Sequence, residues 1–398
     1  MYSLYITSFW GVIPDMKFVF VPDSFKGTLS SLQVIEILEK AAKQHFEDLQ
    51  VIKVPIADGG EGTVEALITA LGGEYRYAEV TGPIEGMTVR ARYGISENRT
   101  AIIEMAQASG LPLLNENQRN PLLTTTYGTG ELIRAALDEG IREFIIGIGG
   151  SATNDGGMGM AQALGIAFMD GVGKNVGFGG RYLSEVRQIV IDGLDPRIRE
   201  SSITVICDVN NPLTGPRGAT YIYGPQKGAT EEMLKTLENG MKNYARVIQN
   251  QLGIDVDKIP GAGAAGGLGA ALTGFLGAVL KPGIDAILEF INFDSLLDDV
   301  DLVVTGEGRI DEQSAFGKVP VGVAKHCKTK NVPVVAISGI MGRNAAAVYE
   351  YGINSIMTTV NRAMPLEEAL ANAEELLYDA ADRMFRFIKT GMDIKNKA

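Results

Sequence analysis

At 398 residues the chain exceeds one ordinary core and suits two α/β domains, and a hydrophobic content of 45% is enough to bury both. A net charge of −12, with no Lys/Arg cluster to override it, argues against a nucleic-acid groove or an anionic membrane surface as partner. Two histidines leave little room for His-based metal sites or a Ser/His triad, and Cys207 and Cys327, in no metal spacing, fit a reduced cytoplasmic protein.

In chain order, residues 1–15 (MYSLYITSFWGVIPD) lack the positive n-region of a signal peptide, and Met16 directly precedes the strand-like KFVFVPD. Residues 1–15 are therefore expected to be a leader outside the fold, with Met16 as the native start. The first strand, Phe18 to Val21, runs into PDSFKGTLSS. There Asp23, Ser24 and Lys26 can reach a ligand, Lys26 supplying a cation for a carboxylate or phosphate, and Thr28 or Ser30 can cap the next helix. Asp23 or Ser24 can equally do no more than shape the turn. Leu32, Ile35, Leu38, Ala42 and Phe46 form the apolar stripe of that helix and place His45 at its edge. A second strand, Val51 to Ile56, runs into ADGGEGT, where Asp58, Gly59, Gly60, Glu61 and Thr63 put polar side chains and bare backbone in one small volume. A plain left-handed turn needs one glycine, so a ligand loop is expected.

Tyr75 to Val80, Thr88 to Tyr93 and Ala101 to Glu104 are short strands with no room for crossover helices, so they should pair antiparallel. TTTYGTGELI opens a helix, with Glu131 and Thr129 as a possible cap. The densest signal is IIGIGGSATNDGGMGMAQALG, residues 145–165, where an apolar strand stops at paired glycines and continues into a helix start. Strand, glycine turn and helix start is the layout of an anion site, because bare N–H groups point at the ligand with the positive end of the dipole. Asn154 and Asp155 would sit beside that anion, where a carboxylate serves a metal ion or a hydroxyl to be deprotonated.

Further on, a strand at Ile203 to Ile206 precedes CDVNNPLTGPRGATYIYGPQKGA, whose Asp208, Asn210, Asn211 and Lys227 fit a loop over a ligand. Gly261 to Leu280 is long enough to span a bilayer, but its Gly and Ala content favours a buried, tightly packed helix or ligand loop. Leu302 to Val304 is read as a strand ending in the turn GEGRID, where Glu307, Arg309 and Asp311 alternate in charge; Arg309 either holds a carboxylate bidentately or closes a salt-bridged loop. A last strand covers Val332 to Ile337.

Most of these strands precede helical patterns, so the expected fold is α/β: a Rossmann-like three-layer domain with a parallel sheet, built from residues 16–74 and 285–398, and an inserted mixed α/β domain, residues 75–284. The strand at Phe144 fits either. Ligands in such sheets lie beyond the carboxyl ends of strands, and the expected active site is the cleft between the domains. Gly261 to Gly266 reads GxGxxG but follows Pro260 instead of a strand, neither Gly-Lys pair is followed by Ser or Thr as a Walker A motif requires, and the HRD and DFG kinase motifs are absent.

Taken together, DSFKGTLS, PIADGGEGT, TTYGTGELI, IGGSATNDGGMGM, NPLTG with GPQKGA, PGAGAAGGLG and VVTGEGRID closely resemble the bacterial glycerate kinase family, in collinear order from Met16 to about residue 385. The resemblance implies ATP-dependent phosphorylation of D-glycerate with Mg²⁺ in hydroxyacid catabolism, with 2-phosphoglycerate favoured over 3-phosphoglycerate. Phosphoryl transfer needs neutralised phosphates, an in-line hydroxyl and a carboxylate to orient or deprotonate it. Gly59, Gly60, Gly149, Gly150, Ser151, Asn154 and Lys227 are accordingly candidates for the nucleotide phosphates, together with Lys26. Asp155 is the candidate base with Asp58 as rival, and either can take Mg²⁺. Asp23, Ser24, Glu61, Arg309 and Asp311 are candidates for the glycerate, Arg309 for its carboxylate. A homo-oligomer is compatible with all of this.

A nicotinamide-dependent hydroxyacid dehydrogenase needs a strand-bounded GxGxxG, which this chain lacks. A non-catalytic sensor of glycerate or nucleotide needs fewer ionisable groups at strand ends, and would show ligand stabilisation without turnover.

Overall fold

The computed structural model describes residues 16–25, 27–56, 62–316 and 318–395. Thirteen strands stand among them: β1 (Met16–Phe20), β2 (Leu49–Lys53), β3 (Gly73–Thr81), β4 (Thr88–Ser96), β5 (Thr100–Glu104), β6 (Glu143–Gly147), β7 (Ala167–Met169), β8 (Gln188–Val190), β9 (Ser202–Ile206), β10 (Val279–Lys281), β11 (Leu302–Ile310), β12 (Val334–Met341) and β13 (Ser355–Thr358). The protein is α/β, with a parallel five-stranded sheet, a mixed six-stranded sheet and the antiparallel pair β7–β8.

The chain divides into two compact units. The first combines the chain through Val54 with Asp294–Phe316 and Val323–Ala398. Its sheet has the order β13-β12-β11-β1-β2, all parallel. The chain progresses one way from β1 to β2 and the other way from β11 to β13, so β1 and β11 flank a switch point, where ligands of open parallel sheets bind. Alternation along β1 turns Phe18 and Phe20 to one face, where they meet Phe46 and Phe385 at centroid distances of 5.1 to 6.0 Å. Helices Ser31–Ala42 and Ala373–Lys395 cover this face. The first starts on a capping box: Ser30 Oγ accepts from Gln33 N at 3.3 Å and Gln33 Oε1 from Ser30 N at 2.9 Å. Ser30 is thus the cap, and Thr28 bonds Phe25 O instead.

The second unit comprises Pro55–Phe293 and Gly317–Gly322. Its sheet has the order β10-β9-β6-β5-β4-β3, parallel from β10 to β5 and antiparallel from β5 to β3. The short connections around β4 enforce the antiparallel pairing expected from the sequence. The strand at Phe144 belongs to this mixed sheet.

Several expectations need correction. β11 does not stop at Val304: it continues to Ile310, with Glu307 opposite Ser338 and Arg309 opposite Ile340, because β12 is long enough to pair with it throughout. Glu307 and Arg309 are strand residues, not turn residues. β2 ends at Lys53, before Ile56. His45 lies beyond the end of its helix and bonds Asp382 at 2.8 Å through Nε2. Thr129 and Glu131 do not cap helix Tyr127–Asp138, since Thr129 Oγ1 meets Ser109 Oγ at 2.9 Å and Glu131 accepts from Thr81 N at 2.6 Å. The run from Gly261 holds the buried helix Ala264–Leu276 and the strand β10, and no described helix is long and apolar enough to cross a membrane.

Candidate active site

In the second unit, β6 delivers the chain to Gly149 and Gly150, both exposed, with Gly150 at φ +74° in the left-handed region. Ser151 lies opposite Gly110 in a non-hydrogen-bonded antiparallel bridge, flanked by Leu111 N→Gly150 O at 2.8 Å and Ala152 N→Ser109 O at 2.9 Å. Those bonds turn the N–H of Ser151 away from Gly110. Among the described residues, the N–H groups of Gly149, Gly150 and Ser151 have no acceptor. Three successive N–H groups without an acceptor are the donor set that an anion nest requires.

Behind the nest the chain is fully buried from Thr153 to Asp155. Asp155 Oδ2 accepts from Thr126 N at 2.8 Å, Thr126 Oγ1 at 2.9 Å and Gly159 N at 3.3 Å, and its Oδ1 from Gly157 N at 3.1 Å. Four donors converge on this carboxylate, three on Oδ2 and one on Oδ1, and it ties the loop to the starts of two helices. Burial nonetheless pushes its pKa above the ordinary value. Thr124 Oγ1 adds a bond to Ala152 O at 2.9 Å, so the threonine run and the glycine loop form one interlocked structure. Asn154 is buried as well, donating to Thr220 Oγ1 at 3.1 Å while its Oδ1 has no partner.

Lys227 sits on the single turn Pro225–Lys227, only 2% exposed. Its Nζ donates to Ser151 Oγ and to Thr153 O, each at 2.7 Å. Burial draws its pKa down to about 7, while the charge of Asp155 favours the ammonium. The GxGxxG segment lies behind the same loop. Gly156 N donates to Gly266 O at 3.0 Å, and a Cβ on Gly266 would fall 2.0 Å from Thr153 O. Its glycines serve backbone packing, which is why no strand precedes them.

In the first unit, Asp23 and Glu307 stand at the switch point. Asp23 N donates to Gly306 O at 2.8 Å, Ser24 N donates to Asp23 Oδ1 at 2.7 Å, and Glu307 Oε1 accepts from Ser314 Oγ at 2.6 Å. Arg309 is well exposed and pairs with Asp311 at 2.8 Å, an arrangement that contributes little to stability at such exposure. Lys26, Asp58, Gly59, Gly60 and Glu61 lie outside the described residues.

The matching family model, the glycerate kinase family, covers residues 18–389. The chain belongs to the glycerate kinase family. It is 50% identical to the glycerate kinase of Bacillus subtilis strain 168, over 94% of this chain and 98% of that protein. It is 49% identical to the glycerate 2-kinase of Escherichia coli K12, over 95% and 99%. A crystal structure described as that of a glycerate kinase 2 from Salmonella typhimurium LT2 superposes with a TM-score of 0.86 at 46% identity, covering 95% of this chain and 99% of the other.

Magnesium, implied by the family resemblance, does not suit Asp155, which is fully buried and already accepts from four N–H and O–H donors. Among the described residues no group of three or more His, Cys, Asp or Glu stands together as a metal site. In the loop after β9, Asp208 Oδ1 accepts from Gly283 N at 2.7 Å at the start of helix Gly283–Phe290, and Asn211 bonds Arg217 O and Tyr223 Oη, both at 2.7 Å.

One buried acid near the loop went unremarked in the sequence. Glu104 ends β5 beside Gly147 of β6 and is buried. It accepts from Val64 N at 2.9 Å, in the first turn of helix Thr63–Leu71, and from Gln107 Nε2 at 3.4 Å. Burial raises its pKa. The available signal was an acid directly after the apolar run AIIE, at the carboxyl end of a strand.

Proposed function

We propose that this chain transfers the γ-phosphoryl group of ATP to D-glycerate, giving 2-phosphoglycerate rather than 3-phosphoglycerate. The observation that carries the reading is the loop of Gly149, Gly150 and Ser151, with three successive N–H groups that have no acceptor, backed by a buried lysine. Such a nest suits phosphate oxygens and stabilises charge without reorganising. The high identity to proteins named glycerate kinase along nearly the whole chain supports the acceptor, and the Escherichia coli relative's name supports the 2-position.

In this reading residues 16–74 and 285–398 act as a Rossmann-like domain and residues 75–284 as an insertion. The nucleotide phosphates take Gly149, Gly150 and Ser151, with Gly59, Gly60 and Lys26, while Asn154 supports the loop from inside. Arg309 takes the glycerate carboxylate, and Asp23, Ser24, Glu61 and Asp311 surround the substrate. Asp155, first candidate for the base, is committed to its four donors, so the reading gives the base to Asp58. The C2 hydroxyl oxygen bonds the γ-phosphorus as the bond to the β-phosphate oxygen breaks; ADP leaves and the hydroxyl proton goes to the carboxylate. Magnesium belongs to the reading through the family resemblance alone. The reaction is assigned to the reducing cytoplasm, where Cys207 and Cys327 stay thiols.

The test is ³¹P NMR of a mixture of protein, Mg²⁺, ATP and D-glycerate. A phosphomonoester signal matching 2-phosphoglycerate is the expected result; ADP with free phosphate, or unreacted ATP, would overturn the assigned acceptor.

A further inference from the structure

We infer that Lys227 is a positioning residue that never touches the nucleotide: it holds the Gly149–Asp155 loop in its anion-accepting form and passes its charge to the phosphates through the hydroxyl of Ser151. The inference rests on the function proposed above and deepens it.

A lysine in a phosphate site ordinarily reaches the anion with its own ammonium. Lys227 does not do so here. It is buried at 2% exposure, and two of its three N–H donors are spent on Ser151 Oγ and Thr153 O at 2.7 Å. The bond to Ser151 has a direction, however. An ammonium has no acceptor capacity, so Ser151 Oγ must accept, and its own O–H is left to donate elsewhere. Among the described residues that O–H has no acceptor. It belongs to the same residue whose N–H completes the nest, beside exposed Gly149 and Gly150. An anion on the nest therefore receives a hydroxyl polarised from behind by a full positive charge, and charge-assisted chains of this kind strengthen one another in a low-dielectric interior.

The second bond, to Thr153 O, fixes the backbone on the far side of Ser151. Asp155, two residues on, is held by Thr126, Gly157 and Gly159. The loop is thus pinned at both ends by buried groups of opposite charge, and only Gly149 and Gly150 are exposed, with Ser151 buried directly behind them. Burying the cation keeps water from screening it and prevents it from closing an ion pair with the nucleotide that would slow release.

The experiment measures binding of ATP and of inorganic tripolyphosphate by calorimetry, with steady-state kinetics in parallel, for wild type, Lys227→Met, Ser151→Ala and the double variant, with melting temperatures as a check on folding. Lys227→Met is expected to weaken ATP and tripolyphosphate binding at least about ten-fold and to raise KM for ATP, leaving KM for glycerate within about two-fold. Ser151→Ala should reproduce most of that loss, and the double variant should be no worse than Lys227→Met, since both lesions cut one chain. A merely structural lysine would shift both KM values together and add to the Ser151 effect. ATP binding within two-fold of wild type in a folded Lys227→Met protein overturns the inference. Should that variant not fold, unchanged ATP binding by Ser151→Ala overturns it equally. Wild type that binds ATP without phosphorylating glycerate overturns the proposed acceptor and leaves these comparisons standing; wild type that binds neither ATP nor tripolyphosphate overturns both.

Discussion

The main chain and the side chain of Thr126 both donate to one oxygen of Asp155, at 2.8 and 2.9 Å. That relationship joins the threonine run before one helix to the glycine loop before another, and makes a buried carboxylate the common origin of two helix starts. An acceptor shared in this way is costly to replace, because every donor it satisfies is itself buried.

Asp155→Asn is therefore expected to lose stability together with activity. The amide keeps one acceptor oxygen and turns an NH₂ toward N–H or O–H donors, leaving buried groups unpaired at a cost of about 2–4 kcal/mol. Thermal or urea unfolding beside kcat distinguishes the roles. A folded variant of wild-type stability with kcat lowered a thousand-fold would return the base role to Asp155.

Gly266→Ala tests the backbone packing behind the loop. Gly266 has φ +69°, and its Cβ would meet Thr153 O at 2.0 Å, so the new methyl must displace main chain and not a flexible side chain. A loss of about 2–4 kcal/mol is expected from strain and overpacking combined. Gly277→Ala is the comparison, since it shares a φ of +69° but has nothing within 4 Å of its Cβ. It should cost about 1–2 kcal/mol from the backbone alone. Equal losses in the two variants would contradict the close-approach account.

Glu104 separates capping from charge. Helix Thr63–Leu71 begins at Gly62, which offers no side-chain cap, and Glu104 supplies an acceptor to Val64 N from another strand. Glu104→Ala should cost about 1–3 kcal/mol, and Glu104→Gln should restore most of it through its amide oxygen. Because burial raises the Glu104 pKa above 4.5, folding favours the protonated acid. Its contribution is full below the unfolded pKa and is lost as pH rises through the folded one. The stability of wild type relative to Glu104→Gln should fall across that window; a constant difference would argue against the shift.

The sequence made the strands and the glycine loop legible because both are local signals: apolar runs ending in polar or glycine turns place β1, β2, β6 and β9, and short connections place the antiparallel β3, β4 and β5. The roles of particular side chains were legible only in part. IGGSATND looks the same whether Asp155 faces a ligand or the interior, and only Thr126, 29 positions away, decides the matter. The continuation of β11 through Glu307 and Arg309 depended on the length of β12, a tertiary fact that alternating charges concealed. Lys227 read as the cation of a loop over a ligand, and its Gly/Pro-rich context gave no sign that it is buried.

The pH response of Lys227 brings loop and ligand together. Its folded pKa of about 7 lies below the ordinary lysine value of 10.5, so between these values the unfolded chain binds a proton that the folded chain does not. Stability must then rise with pH in this window, by up to about 1.4 kcal/mol per unit, and wild type should gain on Lys227→Met accordingly. Anion binding has the opposite sign, since phosphates on Ser151 favour the ammonium. Asp155 favours the ammonium, and Tyr244, which also faces Asp155, is held protonated by burial and adds no charge. ATP affinity should consequently weaken above about pH 7, approaching ten-fold per unit while only the free protein has lost the proton, with proton uptake on binding at pH 8. Calorimetry at pH 8 in two buffers of different ionisation enthalpy measures that uptake directly. Wild type should take up close to one proton more than Lys227→Met, and equal uptake by the two proteins would place the titrating charge elsewhere.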